Sequence, residues 1–242
     1  MKFKLNYKPF SEHAILIEWP QQIDEAILYD ILNFKAYLQK EIELKIKSMY
    51  HAYASLLIVY NIEGFNYDEN IIALAQLYSK KKKGQKVSKT LWKIPVCYDT
   101  SFGVDLEEFA KEKQCSITDI VSKHKAPIYT VYFNGFLPGF MYLGGLDASL
   151  FTPRKASPRL KIEKGAVAIG GQQTGIYPSE SPGGWQIIGN SPINFFDVSN
   201  TVPCFTKAGD LIQFFEISLK EYTNTKHLVE AGVYQIQNQV IK

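Results

Sequence analysis

The chain has 242 residues, 46% of them hydrophobic, and a formal net charge of +3 at neutral pH. That length and apolar content exclude a disordered chain and support one large or two small cores; so small a charge excludes a strong nucleic-acid field. Cys97, Cys115 and Cys204 are scattered and lack C-x-x-C spacing, which excludes a disulfide framework or zinc finger and fits a reducing cytoplasm. The opening MKFKLNYKPF has no apolar centre of the signal-peptide kind, and the longest apolar run, Tyr53 to Tyr60, is too short for a bilayer. The expectation is a soluble cytoplasmic protein without nucleic-acid or membrane partners.

Residues 3–8 and 13–19 read as strands, the second closed by Pro20. Ile23, Ile27, Ile31, Phe34 and Leu38 recur at helical spacing, so an amphipathic helix is predicted over 21–40. Ile42, Leu44 and Ile46 alternate with polar neighbours, a half-buried strand over 41–48, and 55–60 is a mostly apolar strand. Ile71, Leu74, Ala75 and Tyr78 mark a second helix. The first part thus reads β–β–α–β–β–α, a small α+β layer. The run from Lys80 to Gly84 is read as a solvated linker, giving domains at 1–88 and 89–242.

A strand is predicted over 91–99, then short helices over 105–114 and 116–124, where Ser116 and Asp119 form a capping-box pair. A strand follows at 128–133. Short strands at 167–170, 185–188, 194–198 and 211–216 alternate with Gly/Pro turns, and the tail 232–241 adds another. That rhythm predicts a mainly-β barrel or sandwich.

Eleven of the sixteen glycines and five of the eleven prolines fall within 134–190. Glycine permits positive φ and close backbone approach, so such loops either aim N–H groups at an anion or turn a barrel tightly. Phe136, Phe140, Tyr142, Tyr177 and Trp185 interleave with them. Of 27 basic side chains only Arg154 and Arg159 are arginines, both in Pro-Arg pairs within this segment. A guanidinium fork grips carboxylate or phosphate bidentately, which Lys cannot do; structural Arg–carboxylate contacts are the alternative. With Gln172, Gln173 and Thr174, these groups predict a small polar pocket with apolar walls. No phosphate-loop, dinucleotide or G-x-S-x-G motif occurs, and the histidines show no metal spacing. His124 stands before the strand that leads into the glycine-rich loop.

The stretches IPVCYD (94–99), GVDLEEFA (103–110), GFLPGFMYLGGLD (135–147), the two Pro-Arg pairs, GQQTGIYP (171–178), SPGGW (181–185), IIG (187–189) and GD (209–210) occur in that order. Together they resemble the KipI/PxpB family, also known as allophanate hydrolase subunit 1 or carboxyltransferase subdomain C. The resemblance implies a small α+β domain followed by a cyclophilin-like β-barrel. It implies the B subunit of an ATP-dependent 5-oxoprolinase, acting with a C subunit and an A subunit, with magnesium beside the ATP. As secondary alternatives it admits an inhibitor of a sensor histidine kinase, or the carboxyltransferase half of a biotin-dependent urea or amide carboxylase. This chain carries no biotin-accepting site, so biotin would arrive on another protein. The sequence departs from the family pattern at 162–167, at Asn190, where Arg is common, and at Ser11-Glu12, where Gly-Asp is common.

On this reading Arg154 or Arg159 holds a carboxylate or a phosphoryl group. Gln172, Gln173 and Thr174 bond a lactam edge, with Gln173 and His124 as catalytic candidates. Backbone N–H groups near Gly183 and Gly184 stabilise developing charge, and Tyr177 and Trp185 wall the pocket. No metal ligand is assigned to this chain.

Overall fold

The computed structural model describes residues 3–41, 45–81 and 88–241. It divides into two compact units, Met1–Val87 and Ser88–Lys242.

In the first unit the strands are β1 (Asn6–Ser11), β2 (Ala14–Glu18), β3 (Ile46–His51) and β4 (Ser55–Tyr60). They form an antiparallel sheet in the order β1-β2-β4-β3. Helix α1 (Glu25–Leu38) follows β2, and α2 (Tyr67–Lys80) follows β4. The predicted periodicity is what builds this core: Ile15 faces Ile58 and Ile17 faces Leu56 across the ladder. Ile27, Ile31, Phe34 and Leu38 of α1 and Leu74 and Tyr78 of α2 pack with them. Helix α1 starts four residues later than predicted because Asp24 caps it, accepting from the Ala26 N–H at 2.7 Å. The predicted strand over 41–48 partly lies outside the described residues; the ladder runs from Ile46. Of the supposed linker, 82–84 also lie outside them. Lys81 is not solvated: it pairs with Asp30 and sits 4.5 Å from the Tyr78 ring centroid. Asp30 also accepts from Trp19 Nε1 and the Tyr78 hydroxyl at 2.8 and 2.7 Å, so the end of α2 is fastened to α1.

The second unit begins with β5 (Lys89–Val96), α3 (Leu106–Lys113), α4 (Ile117–Lys125), β6 (Tyr129–Asn134) and β7 (Met141–Gly144). There follow β8 (Arg159–Ile162), β9 (Ala166–Gly170), β10 (Gln173–Ile176), β11 (Ser181–Gly183) and β12 (Gln186–Asn190). It ends with β13 (Leu211–Glu216), α5 (Leu219–Glu230) and β14 (Asn238–Ile241). Eight strands form one sheet in the order β12-β9-β10-β7-β6-β13-β5-β14, while β8 and β11 make a separate ribbon. The sheet curls round until its far parts meet: Cys97, just past β5, exchanges both backbone hydrogen bonds with Asn190 of β12 at 2.8 and 2.9 Å. The interior is filled by Val131, Met141, Leu143, Val167, Ile169 and Ile176 from strands and by Leu106, Phe109, Ile120 and Val121 from α3 and α4. Ser116 and Asp119 do form the capping box that starts α4.

Strands β7, β8, β10 and β11 lie where the sequence pattern names none, and two further elements differ from expectation. Residues 194–198 form no strand. Phe195 is buried by packing instead, 1% exposed, with its carbonyl against Gly139, where an added Cβ would meet that oxygen at 2.8 Å. Helix α5 lies where the sequence pattern predicts none. None of its residues is buried, so no apolar stripe marks it, although the Ser218–Glu221 capping box does. Among the described residues no helix is long and apolar enough to cross a membrane.

Candidate functional site

Strand alternation sends successive side chains to opposite faces of the sheet. On β9, Val167 and Ile169 join the interior, while Ala168 joins a second cluster outside it with Phe140, Tyr177, Trp185 and Ile187. On β10, Ile176 joins the interior. Gly175, one residue earlier, lies on the outer face opposite Ala168. Small residues there let an indole lie flat on the sheet. A Cβ built on Gly170 would stand 2.5 Å from the Trp185 ring, and one on Gly175 would stand 2.9 Å from the Met141 carbonyl and 3.2 Å from Trp185.

The five aromatics noted in the sequence come together on this outer face. Trp185 meets Phe140 edge-on at 5.5 Å and Tyr142 at 6.2 Å. Phe140 meets Tyr177 at 5.3 Å, and Phe136 lies 6.5 Å from Tyr177. Phe133 stacks on Tyr142 at 4.3 Å. Gly183 keeps the Tyr177 hydroxyl in place, since a Cβ there would be 2.4 Å from it. Gly184 holds the neighbouring loop, its carbonyl accepting from the Lys155 N–H at 2.6 Å. Burial pushes the Tyr177 phenol up to about 12, against the pull of the Arg154 charge. Arg154 is exposed and its guanidinium carbon stands 5.8 Å from the Trp185 ring centroid, a cation–π distance. Phe136 is 60% exposed and has a φ of +67°, a backbone that a bulky L residue rarely adopts. Gln173 points to the same face, and its Oε1 is buried without a hydrogen-bond partner, a state that costs about 1–3 kcal/mol. Gln172 is exposed at the β9–β10 hairpin tip beside Gly171, whose φ of +66° suits the first turn position.

The second arginine is elsewhere. Arg159 grips Asp105 bidentately, Nη1 to Oδ2 at 2.9 Å and Nη2 to Oδ1 at 2.5 Å. Lys155 Nζ adds a contact to Oδ1 at 3.0 Å, and the Ile187 N–H donates to Oδ2 at 2.7 Å. Burial pushes the Asp105 carboxyl up, but the bonds from Arg159, Ile187 and Lys155 outweigh it and hold the group below the usual carboxylate range. The expectation that either arginine could hold a ligand is therefore corrected: Arg159 is neutralised by a carboxylate that is 2% exposed, and Arg154 alone is free to meet one. Asp105 occupies the N-cap position of α3 but makes no capping bond. Its carboxylate reaches across the fold instead.

His124 and Thr174 also leave the expected pocket. His124 is 0% exposed, stacked on Phe214 at 4.8 Å, with Nδ1 2.8 Å from the Tyr98 hydroxyl and Nε2 2.8 Å from Thr174 Oγ1. Thr174 donates its only hydroxyl hydrogen to the Ala168 carbonyl at 3.0 Å. It must then accept from Nε2–H, which leaves Nδ1 to accept from Tyr98. Burial lowers the imidazole to about 3, so it stays neutral. Every polar atom in this chain of bonds has its partner inside the barrel, so neither residue meets a substrate on the outer face.

Asn190 stands where the family commonly has Arg. Its Nδ2 donates to the Lys164 carbonyl at 3.0 Å and its Oδ1 accepts from the Tyr222 hydroxyl at 3.0 Å. It closes the barrel seam and offers no charge to an anion. Sequence reasoning missed Lys155, Phe133 and the role of Asp105. Only Asp105 carried a signal, as an acidic residue inside the GVDLEEFA stretch.

Residues 5–206 match the family described as carboxyltransferase domain, subdomain C and D. A Bacillus subtilis (strain 168) protein named as the B subunit of 5-oxoprolinase is 32% identical over 239 residues, covering 92% of this chain and 97% of that one. The crystal structure of TTHA0988 superimposes with a TM-score of 0.73 at 29% identity, covering 85% of this chain and 40% of that one, so this chain spans less than half of it. The K. lactis urea amidolyase shares the fold alone, with a TM-score of 0.87 at 19% identity over 99% of this chain and 16% of that one. The chain belongs to the carboxyltransferase subdomain C and D family, and within it to the KipI/PxpB group.

Proposed function

We propose that this chain is the B subunit of an ATP-dependent 5-oxoprolinase, which with a C subunit and an A subunit converts 5-oxo-L-proline to L-glutamate in the cytoplasm. The observation that carries the reading is the near end-to-end match to a protein of that name. The outer face supports it: Arg154 offers one exposed guanidinium for a carboxylate at the edge of the cluster that holds Trp185, itself 4% exposed. The second unit is read as a cyclophilin-like barrel and the first as a small α+β sandwich. Among the described residues no three His, Cys, Asp or Glu side chains are grouped to hold one cation. The reading assigns the phosphates of ATP and their magnesium mainly to the C subunit, and expects this chain alone to turn over little or nothing.

The test is reconstitution. This chain is co-purified with the candidate C subunit, mixed with the A subunit, ATP and 5-oxoproline, and glutamate release is followed. Release that requires all three proteins is expected. No release from the full set, or equal release without this chain, ends the reading.

A further inference from the structure

The outer face carries one amide side chain set between glycines. Gln173 stands opposite Gly170 on β9. Because Thr174 faces Leu143 on β7, Gln173 lies level with Gly144 on its other side. Its Oε1 is buried and unpaired. Across the ladder, a Cβ on Gly170 would lie 2.6 Å from Trp185 Nε1. Opposed Cβ positions are about 4.5–5.5 Å apart. The indole, whose N–H can only donate, thus lies over the ladder position opposite Gln173, whose Oε1 lacks a donor.

We infer that Gln173 and Trp185 form a donor–acceptor pair for the amide edge of a cis-locked lactam, Gln173 Oε1 accepting from the ring N–H and Trp185 Nε1 donating to the ring carbonyl. The inference rests on the 5-oxoprolinase reading and names the groups that set its specificity. In a five-membered lactam the N–H and C=O project from the same side of the ring. An open-chain trans amide projects them in opposite directions and cannot engage both groups. Arg154, over the Trp185 ring, remains for the carboxylate. Thr174 is directed into the barrel with His124, and Gln172 is at the hairpin tip, so neither competes for this edge.

The experiment uses the complex of this chain with its C subunit, and two competing ligands. One is 5-oxoproline; the other is 5-oxotetrahydrofuran-2-carboxylate, where a ring oxygen replaces the N–H. The wild-type complex is expected to hold the lactam at least about tenfold tighter than the lactone, because the lactone sets an acceptor against an acceptor. Gln173→Met should bring the two within about twofold of each other, and Trp185→Phe should weaken both alike and keep the preference. A Gln173→Met complex that retains the preference overturns the pairing. So does a wild-type complex that turns over 5-oxoproline yet does not distinguish the rings, and this outcome decides the matter even if a variant fails to assemble. A wild-type complex with the A subunit and ATP that leaves 5-oxoproline untouched removes the functional reading itself, and the pairing with it.

Discussion

The two faces of the barrel sheet use polar groups in opposite ways. Inside, Tyr98, His124, Thr174 and the Ala168 carbonyl form a run in which each donor meets an acceptor. Outside, one residue away along β10, Gln173 holds an acceptor with no partner, and Arg154 lies over an aromatic ring. The two arginines repeat the contrast, Arg159 gripped by Asp105 and Arg154 exposed. Satisfied groups hold the scaffold; the unsatisfied ones are where a ligand can gain from binding.

Substitution should separate the faces. The largest effect is expected from Asp105→Ala, which strips Arg159, Lys155 and the Ile187 N–H of a shared acceptor. Loss of a buried pair partner typically costs about 3–5 kcal/mol, visible as a lower urea midpoint. Because the folded-state pKa of Asp105 is depressed, its contribution is present above the unfolded carboxylate value and is lost as pH falls through the folded one. Asp105→Asn should therefore show a weaker acid dependence than wild type. His124→Leu comes next, at about 2–3 kcal/mol at pH 7, since it leaves Tyr98 and Thr174 short of a partner. Folded His124 titrates at about 3 against an ordinary 6.5. Between those values the unfolded chain takes up a proton that the folded one refuses, so wild-type stability falls as pH drops, by roughly 1 kcal/mol per unit from this group. Urea titrations at several pH values should show that part of the slope missing from the Leu variant.

The smallest effect sharpens the contrast between the arginines. Arg154→Lys should lower turnover of the assembled complex about tenfold, or about 1.4 kcal/mol, with the melting temperature nearly unchanged. Arg159→Lys should do the reverse, lowering stability by roughly 1–2 kcal/mol through loss of the bidentate bond while costing less turnover than the Arg154 change. Equal effects of the two on both readouts would erase the distinction between them.

Much of the scaffold was legible because local rules decide it. The Ile27, Ile31 and Phe34 spacing, the alternation in β2 and the Ser116–Asp119 box each appear within a few residues. The site was only partly legible. The aromatics and Arg154 did fall together, but the face of each β10 residue depends on register, and each face of that strand carries one polar residue, so alternation does not mark it. Thr174 and Gln173 are adjacent in sequence and serve opposite sides. Arg159 has its carboxylate 54 positions away, a pairing no local rule predicts. Asp105 invited a local explanation, as a helix cap, and that explanation concealed its long-range bonds.

The place of β5 in the sheet has a consequence for how the protein is made. Its two neighbours, β13 and β14, both come from the C-terminal end, and Asp210 reaches the Thr90 N–H across 120 positions. At translation rates of about 5–20 residues per second, that strand leaves the ribosome on the order of ten seconds before anything can pair with it. Ile94 and Val96, both sealed in the mature barrel, are meanwhile uncovered. A ribosome that stalled before residue 211 would thus display a finished first unit trailing a bare apolar strand, the kind of edge that nascent-chain chaperones hold and that aggregates without them.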